Sequence, residues 1–225
     1  MTGAQALIQQ LACREVPFIA MLCGNGTEPI IDAAHEARIP LIHTRNEQAA
    51  SYIADSYARL TRQVGVCVAS SGIAHINAMA GLLNAHYDGA PMLLITGANE
   101  SSTLGRGGFQ DIDHIAMCES FCKHAEQVAR PERIPQAVAD CFHAATTGRP
   151  GPTHLTIPRD ILLGEIPDGL PMPPLGSRGG VEQSAAPIRA DVARAAQMLR
   201  DAKKPLIVAG SGCFYADAGP GLLQL

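Results

Sequence analysis

Short apolar runs alternate with helix-periodic stretches along roughly the first 163 residues. Phe18 to Leu22, Leu41 to His43, Val64 to Ala69, Met92 to Thr96 and His154 to Ile157 have the length and composition of strands. The run that begins at Ile39 and ends at His43 predicts a buried strand. Downstream of it, Ala50, Ile53, Tyr57 and Leu60 recur at helical spacing and predict one apolar stripe on a helix that Glu47 opens. Pro29 sits at a first-turn position of an earlier helix, and a later one begins at Ile73 and runs through Asn77, Gly81, Leu82 and Ala85. Strands that alternate with helices in this way predict an α/β fold, a parallel sheet flanked by helices.

The pattern changes at Gly164. From there to Pro187 the chain holds Pro167, Pro171, Pro173, Pro174, Gly176, Gly179 and Gly180 with little periodicity, which predicts an interdomain linker. Beyond it Ala190, Ala193, Ala196, Met198 and Leu199 predict a helix and Pro205 to Ala209 a strand. The expected organisation is therefore a domain over 1–163, a linker over 164–187, and the start of a second α/β domain over 188–225. That last stretch is too short to close a core of its own, so a fragment or a poorly ordered end is expected.

Composition narrows the partners. Hydrophobic residues make up 47% and charged residues 17%, the balance of a globular chain, and the formal net charge of -4 offers no attraction to nucleic acid or anionic lipid. Small metabolites are the expected ligands. Apolar runs such as Met92 to Ile95 fall far short of the roughly 20 residues of a membrane helix. The opening Met-Thr-Gly-Ala-Gln lacks the basic and apolar regions of a secretory signal, so a cytoplasmic protein is expected. Seven cysteines, scattered and odd in number, predict reduced thiols without a disulfide framework. Cys118 and Cys122 could share a helix face with His124 nearby, but a fourth ligand is missing and no metal site is expected.

The candidate chemistry clusters after the strands. Arg45-Asn46-Glu47-Gln48-Ala49-Ala50 sets a carboxylate just past a strand, at the edge where open parallel sheets hold ligands. A glutamate in a first helical turn also complements the helix dipole, so this segment alone fits both readings. Gly24-Asn25-Gly26-Thr27, Ser70-Ser71-Gly72 and Gly97-Ala98-Asn99 follow three strand candidates, and their glycines allow close backbone approach to a flat ligand. No Lys-Ser or Lys-Thr follows any of them, so phosphate cradling is not expected here. Gly210-Ser211-Gly212 lacks the third glycine of a dinucleotide loop, position 215 being Tyr, and predicts a tight turn. Asn77 and Asp88, taken singly, read as satisfied polar groups of a helix. Gly105 to Asp113, rich in glycine with Phe109 beside Gln110, predicts a mobile active-site loop or a plain surface excursion. Lys123 and His124 follow at the end of a helix-like run, where a solvated charge is the ordinary reading.

In order, these segments resemble the amino-terminal pyrimidine-binding domain of thiamine-diphosphate-dependent enzymes of the acetolactate synthase type, collinearly from about residue 4 to 162. The glycine loop appears at Gly24 to Gly26, the Arg-x-Glu-x-Ala-Ala segment at Arg45 to Ala50, and the Tyr-Ala-Arg helix at Tyr57 to Arg59. The Ser-Gly-to-Asn loop runs from Ser71 to Asn77, the Asp-to-Pro strand entry from Asp88 to Pro91, and Phe-Gln-acid stands at Phe109 to Asp111. A Thr-Lys segment corresponds to Cys122-Lys123, and Gly-Arg-Pro-Gly-Pro is intact at Gly148 to Pro152. Ile73 and Ala74 depart from the usual Pro-Gly, His75 is bulkier than expected, and Asn46 stands where a His is common.

The resemblance implies roles. Glu47 would be the catalytic carboxylate, hydrogen-bonded to the aminopyrimidine ring of thiamine diphosphate. Gly24, Asn25, Gly26, Ser71, Gly72 and Asn77 would line the cofactor pocket, and Phe109, Gln110 and Lys123 would face a 2-keto acid substrate. Magnesium and the diphosphate would be held by a domain these residues do not include, FAD by the central domain of some members, and the cofactor would lie at the interface of a homodimer or homotetramer. The implied activity is decarboxylation of a keto acid and ligation to a second one, in branched-chain amino acid biosynthesis, with this piece inactive alone. The alternatives are a noncatalytic or split subunit of the same fold, or a member that acts as a simple decarboxylase, oxidase or acyltransferase.

Overall fold

The computed structural model describes residues 1–173, 180 and 186–225. The chain divides into a unit over Met1–Val181 and a unit over Glu182–Leu225. The division falls inside the stretch expected as a linker, of which residues 174–179 and 181–185 lie outside the described residues. Among the described residues no helix is long and apolar enough to cross a membrane.

In chain order the first unit contains α1 (Gly3–Cys13), β1 (Ile19–Met21), α2 (Glu28–Glu36), β2 (Leu41–His43), α3 (Glu47–Thr61), β3 (Gly65–Ala69) and α4 (Ile73–Asp88). β4 (Met92–Ala98), α5 (His114–Cys118), β5 (His124–Gln127), α6 (Ile134–Thr146), β6 (Pro152–Pro158) and α7 (Arg159–Leu163) complete it. The six strands form one sheet in the order β2-β1-β3-β4-β6-β5, and every pairing is parallel. The central strands β3, β4 and β6 are buried along their whole length, because helices cover both faces of a parallel sheet. One core joins Leu7, Leu11, Ile30, Val138 and Phe142 of α1, α2 and α6 to Val66, Val68, Leu93 and Ile95 of the sheet. A second core, on the opposite face, joins Ala50, Ala54, Ala78 and Leu82 of α3 and α4 to Cys67, Ala69 and Leu94.

Three sequence expectations for the first unit are corrected. The run ending at His43 is an edge strand with Ile42 and His43 exposed, since the sheet order leaves β2 only one neighbour. On α3 the buried face is Ala50, Ser51, Ala54, Asp55 and Ala58, whereas Leu60 is 80% exposed. Small side chains face inward there because the backbones come close: a Cβ on Gly81 of α4 would lie 2.5 Å from Ser51 Oγ. Lys123 and His124 do not end a helix; His124 opens β5, the other edge strand, whose residues are half-exposed.

The start of the expected linker is pinned. Gly3 N–H donates to the Gly164 carbonyl and Ile166 N–H to that of Met1, both at 2.9 Å, and Ile166 is buried. α1 is set by a capping box in which Thr2 and Gln5 satisfy each other's backbone amides.

Asp55 is nearly fully buried between α3 and α4, where its Oδ2 accepts from Asn84 at 3.0 Å and lies 3.4 Å from Arg59. Arg59 also pairs with Asp88 at 2.8 Å, which gives Asp88 a structural role. Burial pushes the Asp55 carboxyl above its ordinary 3.8, outweighing the Asn84 bond and the Arg59 charge. The folded chain therefore holds this proton more tightly than the unfolded chain. The contribution is complete below the unfolded pKa and is lost as pH rises through the folded one. Asp55→Asn does not titrate, so its stability relative to the parent should rise as the pH is raised from about 4 toward neutrality. Urea midpoints of both proteins across that window measure this, and a flat difference would remove Asp55 as the cause.

In the second unit, α8 (Arg189–Asp201), α9 (Ser211–Tyr215) and α10 (Gly219–Leu222) are the described elements. The helix expected around Ala190 to Leu199 is α8, and none of its residues is buried. Pro205 to Ala209 is not a strand: no partner accepts its backbone bonds among the described residues, and Leu206 and Val208 are exposed. The turn expected at Gly210-Ser211-Gly212 is the start of α9.

Candidate cofactor site

The chain runs from β1 outward to β2 and then returns to place β3 on the other side of β1, so the connections reverse direction between β1 and β3. Parallel sheets open a crevice at the carboxyl ends of strands at such a reversal. The loops after β1, β3 and β4 meet there. Asn25 Nδ2 donates to Asn99 Oδ1 at 2.6 Å and lies 3.5 Å from Ser71 Oγ, and Ser70 Oγ donates to the Asn25 carbonyl at 3.0 Å. Thr27 is buried and closes the first loop through Gly24.

Glycine is required at the contact between loops. A Cβ on Gly97 would stand 2.6 Å from the Gly26 carbonyl carbon, and one on Gly26, at φ +81°, would meet the Ala98 backbone at 2.8 Å. The two backbones thus touch and leave a smooth wall at the sheet edge. Gly72, at φ +62°, packs against Gln110, and the Gln110 Oε1 accepts from Ser71 Oγ at 3.3 Å. Asn99 Nδ2 donates to the Phe109 carbonyl at 2.8 Å. The Gly105 to Asp113 loop is thereby fastened to the site at Gln110, while the Phe109 ring is 77% exposed. The loop also bounds a cleft of about 410 Å³ lined by Leu104, Gly107, Asp111, Ile112 and Gln127. Backbone amides from Gly105 to Gly108 surround the Asp111 carboxylate and lower its pKa.

Glu47 opens α3 behind an Asn46 N-cap whose side chain accepts from the Gln48 amide at 2.8 Å. The Glu47 Oε2 accepts from Asn77 Nδ2 at 3.0 Å, across from α4, while Oε1 has no protein partner among the described residues. The carboxylate is half-buried and close enough to Cys67 in β3 that its charge, after burial, raises that thiol's pKa. Of the residues singled out in the sequence, Gly24, Asn25, Gly26, Ser71, Gly72 and Gln110 are joined at the reversal, and Glu47 and Asn77 form a bonded pair at the same sheet edge. Lys123 lies elsewhere. It precedes β5 at the amino edge, its Nζ donating to the Thr147 carbonyl at 2.6 Å beside Gly151.

Asn99 is a residue the sequence reading named only as part of a loop, although its place directly after a strand was the available signal. A second group differs from the sequence expectation, which set Cys118 beside Cys122 and His124 rather than beside buried histidines. Under the Gly72 loop, His75, His114, Cys118 and His154 are buried together. Thr96 Oγ1 lies 3.0 Å from His75 Nδ1 and 3.0 Å from His154 Nε2, Cys118 Sγ lies 3.4 Å from His75 Nε2, and His114 Nε2 accepts from the Gly72 amide at 3.1 Å. Burial lowers the pKa of His75 to about 3 and that of His114 to about 4. It takes His154 well below its ordinary value, so all three rings are neutral near pH 7.

A parallel sheet with glycine loops at its reversal and a tethered carboxylate at the mouth of the adjoining helix defines a cofactor-binding α/β domain. Residues 1–117 match the family described as thiamine pyrophosphate enzyme, N-terminal TPP binding domain, and the chain belongs to that family. It is similar over its whole length to acetolactate synthase large subunits. It is 34% identical over 226 residues to a probable acetolactate synthase large subunit of Methanocaldococcus jannaschii, covering 38% of that protein. It is 37% identical over 230 residues to the acetolactate synthase of Arthrospira platensis, covering 39%. It is 33% identical over 226 residues to the acetolactate synthase isozyme 2 large subunit of Escherichia coli K12, covering 40%. The chain thus spans 38 to 40% of the length of these relatives.

Proposed function

We propose that this chain is the pyrimidine-binding part of a thiamine-diphosphate-dependent enzyme that acts on 2-keto acids, as an acetolactate synthase does. The observation that carries this reading is the Glu47–Asn77 pair, which fixes one carboxylate oxygen and leaves Oε1, among the described residues, without a protein partner at the carboxyl edge. Such an oxygen fits a basic ring nitrogen, with which a carboxyl group can share a proton. Gly26 and Gly97 let the loop after β1 and the end of β4 pack backbone to backbone, and such a side-chain-free wall supports a flat aromatic ring as the ligand.

Thiamine diphosphate, when bound, supplies carbanion stabilisation. The chain's own residues supply the rest. Glu47 holds or moves a proton at the ring nitrogen, Asn77 keeps the carboxylate in orientation, and Asn25 and Asn99 fix the loop that forms the wall. Phe109 and Gln110 face the keto acid, with Lys123 left to tie the β5 edge. Magnesium and the diphosphate are held by residues outside these 225, because none of the loops at this edge has a phosphate-binding pattern. The domain over 1–163 acts with a second subunit: Ile73, Ile76, Leu83 and Tyr87 are exposed along one face of α4, an apolar stripe suited to cover by another copy.

The test uses the complete protein with thiamine diphosphate, magnesium and pyruvate, and measures carbon dioxide and acetolactate together. The expected result is one carbon dioxide released for each acetolactate formed. Carbon dioxide without a ligated product would make the protein a simple decarboxylase, and inertness toward pyruvate and other 2-keto acids would overturn the reading.

A further inference from the structure

The geometry points to a buried transition-metal site formed by His75, Cys118 and His154, with zinc as the fitting ion. The three residues come from α4, α5 and β6, all are fully buried, and one ligand atom from each lies within 4.8 Å of the others. Around a tetrahedral zinc, with bonds of about 2.0 to 2.3 Å, neighbouring donors stand roughly 3.3 to 3.8 Å apart. His75 Nε2 and Cys118 Sγ already meet that spacing at 3.4 Å. The third donor, on His154, lies within 4.8 Å of the other two, so a shift of at most about 1 Å closes the set.

The surroundings are those of a ligand set. Metal-bound imidazoles are oriented by a hydrogen bond to their other nitrogen. His75 has this bond from Nδ1 to Thr96 Oγ1, leaving Nε2 toward the sulfur. On His154 one nitrogen, Nε2, is held by Thr96 and Thr156, while Nδ1 is buried with no hydrogen-bond partner among the described residues. A neutral imidazole must present one donor and one acceptor, so one buried polar atom goes unsatisfied whichever nitrogen carries the proton. Coordination gives these buried polar atoms a use that the protein bonds do not. His114 is not a ligand, because its Nε2 is engaged by the Gly72 amide. Two neutral imidazoles and one thiolate satisfy zinc's preference for nitrogen and sulfur, with a water completing four. On binding, the Cys118 thiol releases its proton to solvent and the S–Zn bond forms. The three ligands lie under the Gly72 loop and do not include Glu47.

The experiment is elemental analysis of the complete native protein after growth with zinc and dialysis, followed by replacement with cobalt(II). One zinc per chain is expected, and cobalt should give the intense near-ultraviolet band of a thiolate ligand together with tetrahedral visible bands. Cys118→Ser should lose the thiolate band, while Cys122→Ser, one turn away, should keep it. A parent protein that holds no zinc and shows no cobalt band overturns the proposal without any variant. A band that survives in Cys118→Ser overturns it too, since the metal would then sit on another thiol such as the exposed Cys13 or Cys23.

Discussion

Glu47→Gln in the complete protein is expected to lower kcat by about 10²- to 10⁴-fold, the range by which a positioned acid or base accelerates a reaction. Glutamine keeps the size of the side chain, and its carbonyl can still accept from Asn77, so the geometry of the pair survives. What is lost is the proton that a carboxyl group can give and take. Because the side chain is half-buried and lies at a helix mouth, the thermal midpoint should hardly move. The measurement is kcat at saturating cofactor and keto acid, set beside Tm. A drop confined to KM would mean that Glu47 only binds, and an unchanged kcat would take it out of the proton path.

The largest effect on stability is expected from Gly65→Ala, a change of one methyl group. Gly65 opens β3 in the middle of the sheet, and a Cβ there would overlap the backbone carbonyl of Ala54 in α3. The obstacle is backbone, which cannot swing aside as a flexible side chain can. Separating α3 from β3 would disturb the small-residue packing that also holds Ala50, Ala58 and Ser51 in place. Overpacking of this kind costs typically 1 to 3 kcal/mol, or about 2 to 12 °C of thermal midpoint for a unit of this size. A midpoint within a degree of the parent, read by circular dichroism, would show that α3 can shift freely.

The sequence shows most of the sheet because its central strands are long apolar runs, and a run buried on both faces looks the same wherever it sits. The edges are less legible. β5 is His124-Ala125-Glu126-Gln127, polar and half-exposed, and its strand character comes from pairing with β6 rather than from its own residues. On α3 hydrophobicity points to Ile53 and Leu60, whereas the close approach of backbones puts alanine and serine on the buried face. Within the site, the loops after strands and Glu47 were visible as local motifs. The bond between Glu47 and Asn77 was not, since it joins two helices 30 positions apart in the chain. The histidine and cysteine cluster was invisible for the same reason: its members are spread from 75 to 154, and only folding gathers them.

The pairing of Met1 and Gly3 with Gly164 and Ile166 sets the entrance and the exit of the first unit side by side. Everything between them, all six strands and the crevice, is one closed circuit of chain. A domain wired in this way is a cassette: tension between its two ends loads that small clasp first, ahead of the sheet at whose edge Glu47 stands.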